Sequence, residues 1–244
     1  MCERVNNMNL QIGCRLLLLG LVSVIAAAQA SSNEEIVVTA MKRSAAGQSL
    51  PALPAVTIRK RADFLLQSVE LTNDTRDAAG RQEELHQTLR GLATAAAKTP
   101  ALSLAWQSGF LIPITEKDYR IDLAESGDRE DTNSATIFIK YALTPTTDVN
   151  AAIRTLNEFV RGAKMVGRSK LEPSGEMALS VVNPERYRGE VIAALAATVR
   201  DLRASFGPTC KIAISDFSQR LQWQRSDVSE LTLYLPYDLK VEGC

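Results

Sequence analysis

The chain has 244 residues, of which 45% are hydrophobic and 23% charged, values that argue against a collagen-like, disordered or multi-span membrane protein. Its 28 basic and 28 acidic residues cancel, so we expect no nucleic-acid partner, and its length allows one large domain or two small ones. The single histidine, His86, leaves few ways to build a zinc site or a histidine-based nucleophile relay, so no catalytic residue, metal site or cofactor is predicted.

The first thirty residues have the three parts of a secretory signal peptide. Two arginines make residues 1–15 basic, an apolar run covers 16–28, and an Ala-Gln-Ala sequence ends at Ala30. The run is shorter than the ~20 apolar residues that span a bilayer, which favours cleavage over a retained anchor. We therefore expect a signal peptide over 1–30 that is cleaved after Ala30, export to the periplasm, and a mature chain without a transmembrane span.

Residues 31–55 are small and polar with interspersed Gly and Pro, a composition typical of a flexible tail or linker. One segment of this tail differs, because its residues favour a β-strand that a linker does not need. The segment consists of Glu35, Ile36, Val37, Val38, Thr39 and Ala40. The rest of the chain, 56–244, is predicted to be one domain, with a split near Pro145 as the alternative.

The first half of this domain is predicted to contain a strand, a helix and two more strands. The first strand covers 56–72, with a bulge near 64–67 because the apolar positions change parity. A helix follows from cap residues at 73–75 to Pro100, over which apolar residues recur at helical spacing. The two further strands are predicted over 102–114 and 135–144.

The second half begins with a helix that opens at Thr147 or Asp148, followed by a strand over about 170–182. Asn183 as cap and Pro184 as first helical residue predict a third helix, which a Gly-Pro pair ends.

The last strand has the clearest pattern of the chain, since apolar and polar residues alternate over 230–241. It contains Pro236, which cannot donate a ladder hydrogen bond and therefore predicts a sheet edge. The predicted order is β-α-β-β-α-β-α-β-β. This order is typical of an α+β fold with three helices and a largely antiparallel sheet.

The cysteines that remain after the predicted cleavage are Cys210 and Cys244. The last strand is predicted to pair with 210–223 through a turn near Asp227, and this register sets the two cysteines opposite each other. Antiparallel neighbours have the short Cα separation that a disulfide requires, and an exported protein reaches an oxidising compartment. We therefore expect a Cys210–Cys244 disulfide, with two unpaired thiols as the alternative.

The element order, together with the sequence Val-Thr-Ile-Arg-Lys-Arg-Ala-Asp at 56–63, resembles the SIMPL-domain family of exported bacterial proteins over about residues 55–243. The resemblance also rests on the terminal helix that is followed by a hairpin. It implies an α+β fold, a periplasmic location and, for some members, assembly into rings. The family has no established catalytic residues, so the resemblance assigns none to this chain.

The segment Glu35–Ala40 has a resemblance of its own, to the TonB box near the mature N-terminus of TonB-dependent outer-membrane receptors. In that family the box pairs as an added strand with the energising protein, a form of β-augmentation. A receptor of that type also needs a plug and a barrel of about 22 strands, which one domain cannot supply. The segment is therefore either a docking segment on a periplasmic protein or a chance string.

Other conspicuous residues are expected to have ordinary structural roles. His86 is predicted to lie on the surface of the first helix, and Trp106 and Trp223 to pack in the core. The Arg-Lys-Arg sequence at 59–61 alternates along a strand and is predicted to form a solvated rim. The acidic residues of 116–134 lack the ordered spacing of a calcium-binding loop, which favours a solvated hairpin loop.

Three hypotheses for the function follow. The first is a periplasmic, non-enzymatic, SIMPL-like protein that acts through protein–protein contacts, as a homo-oligomer, in envelope or stress physiology. The second is an accessory protein of TonB-dependent uptake, whose tail docks a TonB-like protein by β-augmentation. The third is an enzyme or small-molecule binder with a carboxylate site, which a deep pocket lined by buried acids would reveal.

Overall fold

The structure is a computed structural model, and it describes residues 34–38, 53–125, 131–216 and 218–244. The predicted signal peptide over 1–30, most of the predicted linker, Thr39 and Ala40 lie outside the described residues. The described helices and strands are, in chain order, β1 Glu35–Val38, β2 Ile58–Arg61, β3 Phe64–Asn73, α1 Ala78–Ala96, β4 Leu102–Ser108, β5 Phe110–Ile114, β6 Ala124–Glu125, β7 Asn133–Ala142, α2 Val149–Arg161, β8 Ser169–Pro173, β9 Ala178–Val182, a 3₁₀ helix Pro184–Tyr187, α3 Arg188–Phe206, β10 Lys211–Ser215, β11 Gln222–Arg225, β12 Glu230–Tyr234 and β13 Asp238–Glu242.

The main sheet has the strand order β1-β9-β3-β7-β4-β5, with β6 added to β7 and β8 added to β3. All of these pairs are antiparallel. The sheet curls, so that its end strands β1 and β5 approach each other. Two smaller sheets, β11-β12-β2 and β10-β13, complete the described part. The structure confirms the predicted α+β class, with three α-helices among the described residues and mostly antiparallel strands.

The core occupies both faces of the central strand β3. Leu65 and its neighbours Val69 and Leu71 pack with α1 in the main cluster, whereas Leu66 points to the other face and joins a second, smaller cluster inside the curled sheet. The change of parity in the sequence separates two strands, because Ile58 lies on β2 in a smaller sheet, whereas Val69 and Leu71 lie on β3 in the main sheet. The predicted bulge at 64–67 is wrong, because the chain instead breaks between β2 and β3.

Two predicted strands are hairpins in the structure. The strand predicted over 102–114 turns at Gly109, whose φ of +77° lies in the region that favours glycine. The strand predicted over 170–182 divides into β8 and β9. Both pair with β3, β8 with its residues 69–73 and β9 with its residues 64–66. Gly109 and Gly175, which both have a positive φ, lie in the two turns and were the signals in the sequence that the strand pattern did not use.

The C-terminal strand is also divided, and its predicted register is off by one residue across β10 and β13 and by two residues, in the other direction, across β11 and β12. Pro236 lies between β12 and β13, which belong to different sheets. Lys211 pairs with Glu242 across β10 and β13, and the Cys210–Cys244 disulfide closes this two-stranded ribbon with a Cα–Cα distance of 4.7 Å. The prediction of this disulfide is therefore confirmed.

The predicted caps of the three α-helices are confirmed only in part. Asp148 caps α2 as predicted, since its carboxylate accepts hydrogen bonds from the N–H groups of Asn150 and Ala151. The cap of α1 is Asp77, downstream of the predicted 73–75. Asn183 makes no side-chain cap bond and precedes a 3₁₀ turn instead of α3. No helix of the described residues is long and apolar enough to cross a membrane.

The junction of β3, α1 and β8 is held by the carboxylate of Glu84. The N–H of Arg168 donates to it over 3.0 Å, and the side chains of Asn73 and Thr75 donate over 2.7 and 2.8 Å. These hydrogen bonds lower the pKa of Glu84. A Cβ at Gly167 would lie 2.0 Å from this carboxyl group, so only glycine fits at the approach to β8.

Candidate functional site

The candidate site is the edge of the main sheet at which Glu35–Val38 forms β1. This strand pairs with β9 in antiparallel register, so that Val37 lies opposite Ser180. The ladder continues beyond the strand, because the N–H of Asn183 donates to the carbonyl of Glu34 over 2.7 Å. The segment that resembles a docking strand is therefore an added strand on its own domain.

The edge of β9 that faces β3 is held by the body of the domain, by which we mean the described residues from 53 onwards. The carboxylate of Asp63 accepts the N–H of Val182 over 2.8 Å and the guanidinium of Arg186 over 2.7 Å. The N–H of Asp63 donates in turn to the carbonyl of Ser180 over 2.9 Å. These bonds position β9 so that its other edge faces the Glu35–Val38 segment.

A second carboxylate, on Glu185, ties the 3₁₀ helix after β9 to the approach to β11. It accepts hydrogen bonds from the Arg188 side chain over 2.6 Å and from the N–H of Leu221 over 2.9 Å. Both contacts lower the pKa of Glu185, and the hydrogen bond from Arg188 has the larger effect. Because the pKa is lower in the folded chain, the stabilisation is present at neutral pH and is lost as the pH falls through that lowered value.

The side chains of β1 alternate between the two faces of the sheet, and both faces receive them. Ile36 and Val38 pack on the main core, and Val38 is buried. Val37 packs on the second cluster, which is made by Leu66, Ala105, Leu111, Phe138 and Ala178. Glu35 shares the face of Val37, so its carboxylate also enters the curl of the sheet.

The carboxylate of Glu35 meets a buried lysine there. Both of its oxygens lie 2.5 Å from Lys140 Nζ on β7, and the Ser180 hydroxyl donates to one of them over 2.5 Å. The side chains of Lys140 and Glu35 are only 9% and 12% exposed. The Lys140 ammonium also lies 4.0 Å from the centroid of the Phe64 ring. Among the described residues, Glu35 supplies the one salt bridge that Lys140 makes.

Lys140 was not predicted as a site residue. The strand predicted over 135–144 was recognised from the apolar residues on one of its faces, and no role was assigned to the other face. In the structure that face is covered by the curl of the sheet, since Lys140 and Phe138 both point to the second cluster. The available signal was a charge beside apolar residues in each segment: Lys140 lies two residues after Phe138, and Glu35 directly precedes Ile36.

His86 is not on the surface, and the prediction that it would be is wrong. Its ring is buried, and Nε2 lies 3.1 Å from the carbonyl of Ile121. The Nδ1 atom is buried without a hydrogen-bond partner among the described residues. The chain after β5 folds back over α1 and carries Ile121 onto the ring, a long-range contact that helical spacing does not encode.

The basic sequence at 59–61 is only in part the solvated rim that was predicted. Arg59 is exposed, but Lys60 Nζ lies 2.5 Å from a carboxylate oxygen of Glu190. Arg61 donates to the carbonyl of Thr147 over 2.6 Å. Two of these cations therefore tie β2 to neighbouring elements.

Trp106 and Trp223 are partly buried and pack against the main core, as predicted. Among the described residues, no three His, Cys, Asp or Glu side chains are placed to hold a metal ion. A cleft of about 670 Å³ lies along α1 between Tyr119 and Phe159. Its acids are paired, Glu116 with Arg90 at 3.9 Å and Glu83 with Arg120 at 3.2 Å. Because both acids are exposed, this cleft differs from the deep pocket lined by buried acids that would reveal the enzyme of the third hypothesis.

Comparisons of the chain with protein-family models, with curated proteins and with solved structures found no match. The candidate site therefore rests on its own geometry. Its parts are an acceptor edge on β9, a buried cation on β7, and an added strand that provides the counter-ion.

We predict strong energetic coupling between Glu35 and Lys140. Glu35→Met leaves the ammonium buried without its counter-ion and should lower the free energy of unfolding by about 3 kcal/mol. Adding Lys140→Met removes the unpaired charge and should recover most of this loss. Urea unfolding of the two single variants and the double variant measures the coupling.

The matched control is Lys170→Met, at an exposed lysine on β8, which should change the stability by less than about 0.5 kcal/mol. Additive effects of the two substitutions would contradict the coupling.

Proposed function

We propose that this chain is an exported, non-enzymatic protein of SIMPL-like type that acts in the periplasm through protein–protein contacts and associates with copies of itself. The observation that carries the proposal is the addition of Glu35–Val38 to the edge of β9. An edge that pairs with an extended segment of its own chain has the chemistry of β-augmentation, in which backbone hydrogen bonds give affinity and side-chain contacts give specificity.

Export is supported by the sequence and by the disulfide. The signal-peptide pattern predicts a cut after Ala30, which would place Glu35 close to the new N-terminus. The Cys210–Cys244 pair is of the kind that persists in oxidising compartments. Three helices with a mostly antiparallel sheet also agree, at the level of fold class, with the SIMPL resemblance.

Self-association is supported by the ribbon of β10 and β13. In its register Ile212 lies opposite Val241 and Ile214 opposite Leu239, so the four apolar side chains share one face. Leu239 and Val241 are exposed, in contrast to the core position predicted for them. A two-stranded ribbon with an exposed apolar face is suited to contact a second protein surface.

The alternative is an accessory protein of TonB-dependent uptake. One observation favours it, because Glu35–Val38 is extended and ends the hydrogen-bonded order of the main sheet. Once released from β9, this extended segment would offer its backbone groups to a TonB-like protein by strand addition.

We predict a mass of more than one subunit for the wild-type chain by light scattering after size-exclusion chromatography. The double variant Leu239→Lys/Val241→Lys places charge on the apolar face of the ribbon and should shift the mass towards one subunit. Lys240→Glu alters the opposite face of the same strand and should leave the mass unchanged. A wild-type chain that is a strict monomer at all concentrations would contradict self-association.

For the alternative, we predict that Lys140→Glu strengthens binding to the C-terminal domain of a TonB-like protein, because it repels Glu35 and frees an intact segment from β9. Lys170→Glu makes the same charge change on an exposed site and should have no effect. Deletion of Glu35–Ala40 should abolish binding. Binding that is absent, or unchanged by the deletion, rules out the alternative; calorimetry with the purified domain distinguishes these outcomes.

A further inference from the structure

We propose that the β9 edge is a binding site for an extended peptide segment of defined chemistry, and that Glu35–Val38 is its resident, displaceable occupant. The preferred segment carries a carboxylate and, two residues later, a β-branched apolar side chain. This inference rests on the proposed function, since it specifies which partner segments the strand-addition site accepts.

The groups that bind the carboxylate of Glu35 all belong to the body of the domain. Lys140 lies on β7, Ser180 on β9 and Phe64 on β3, and β3 pairs with both of the other strands without β1. The ammonium and the hydroxyl each lie 2.5 Å from carboxylate oxygens of Glu35. Any extended segment in this register that carries a carboxylate at the same position can make the same bonds.

The apolar part of the site is equally specific. The residue two positions after the carboxylate packs on the second cluster, where Val37 now lies. The residues on the other face, Ile36 and Val38, pack on the main core. All four side chains of the occupant therefore contact the body, and the alternation of a strand sets which position meets which surface.

The occupant is displaceable because it is short and tethered. Its described contacts with the body are non-covalent, and residues 39–57 connect it to β2. A connection of this kind holds its ligand at an effective concentration of about millimolar. A free peptide of the same sequence must compete with that resident segment, so its apparent affinity for the wild-type chain should be about 10²–10⁴-fold weaker than for an open site.

The test uses a labelled peptide with the sequence of residues 33–40 and the full chain in two forms. The released form carries Glu35→Lys and Val37→Lys, which place a cation opposite Lys140 and a charge against the second cluster. Fluorescence anisotropy should show at least 100-fold tighter binding of the peptide to the released form than to the wild type. Circular dichroism checks that the released form is folded; if it is not, the single variant Glu35→Lys takes its place.

Two peptide variants of identical net charge test the specificity. The peptide with Glu35→Lys should bind the released form at least tenfold more weakly than the native peptide. The peptide with Glu34→Lys should bind nearly as well, because the one ion pair of Glu34 among the described residues is with the exposed Arg220, at 3.5 Å. Adding Lys140→Met to the released form should remove the difference between the two peptides.

The inference is overturned if the released form binds the native peptide no more tightly than the wild type does. Equal binding of the two lysine-substituted peptides overturns it as well. A released form that does not bind the peptide but still self-associates in light scattering refutes this site and leaves the proposed function standing.

Discussion

The central constraint in this structure is a buried cation that needs a counter-ion. Lys140 lies on β7 inside the curl of the main sheet, where an unpaired ammonium is costly. Glu35 provides the counter-ion from a segment outside the body of the domain, and the rest of β1 then completes both apolar clusters. The charge pair thus fixes the register of the added strand, because a shift by one residue would turn Glu35 to the main core.

Much of the fold could be predicted from local patterns. The three helices, the α+β class and the cysteine pair followed from apolar spacing, cap residues and strand alternation. The errors arose where long-range packing decides: the bulge at 64–67 was wrong because β2 and β3 belong to different sheets, and His86 is buried because a distant loop carries Ile121 onto it. Lys140 was missed for the same reason, since nothing in its own strand shows that the sheet curls over it.

For the segment Glu35–Val38, the sequence predicted the conformation correctly but not the partner. Its β-prone residues predicted a strand, with a docking segment and a chance string as the alternatives, and it is a strand whose partner in this structure is β9 of its own chain. For the proposed function, this pairing makes the segment and the β9 edge two halves of one recognition system. A partner segment that replaces β1 on β9 requires the lysine to exchange one carboxylate for another.

Hydrogen exchange with a charge reversal tests most directly whether the Glu35–Lys140 pair holds the added strand. Glu35→Lys and Lys140→Glu should each abolish the amide protection of 35–38 and of the outer edge of β9, because like charges then face each other in a buried site. The double variant Glu35→Lys/Lys140→Glu restores opposite charges and should recover the protection. Protection that survives in both single variants would contradict the account.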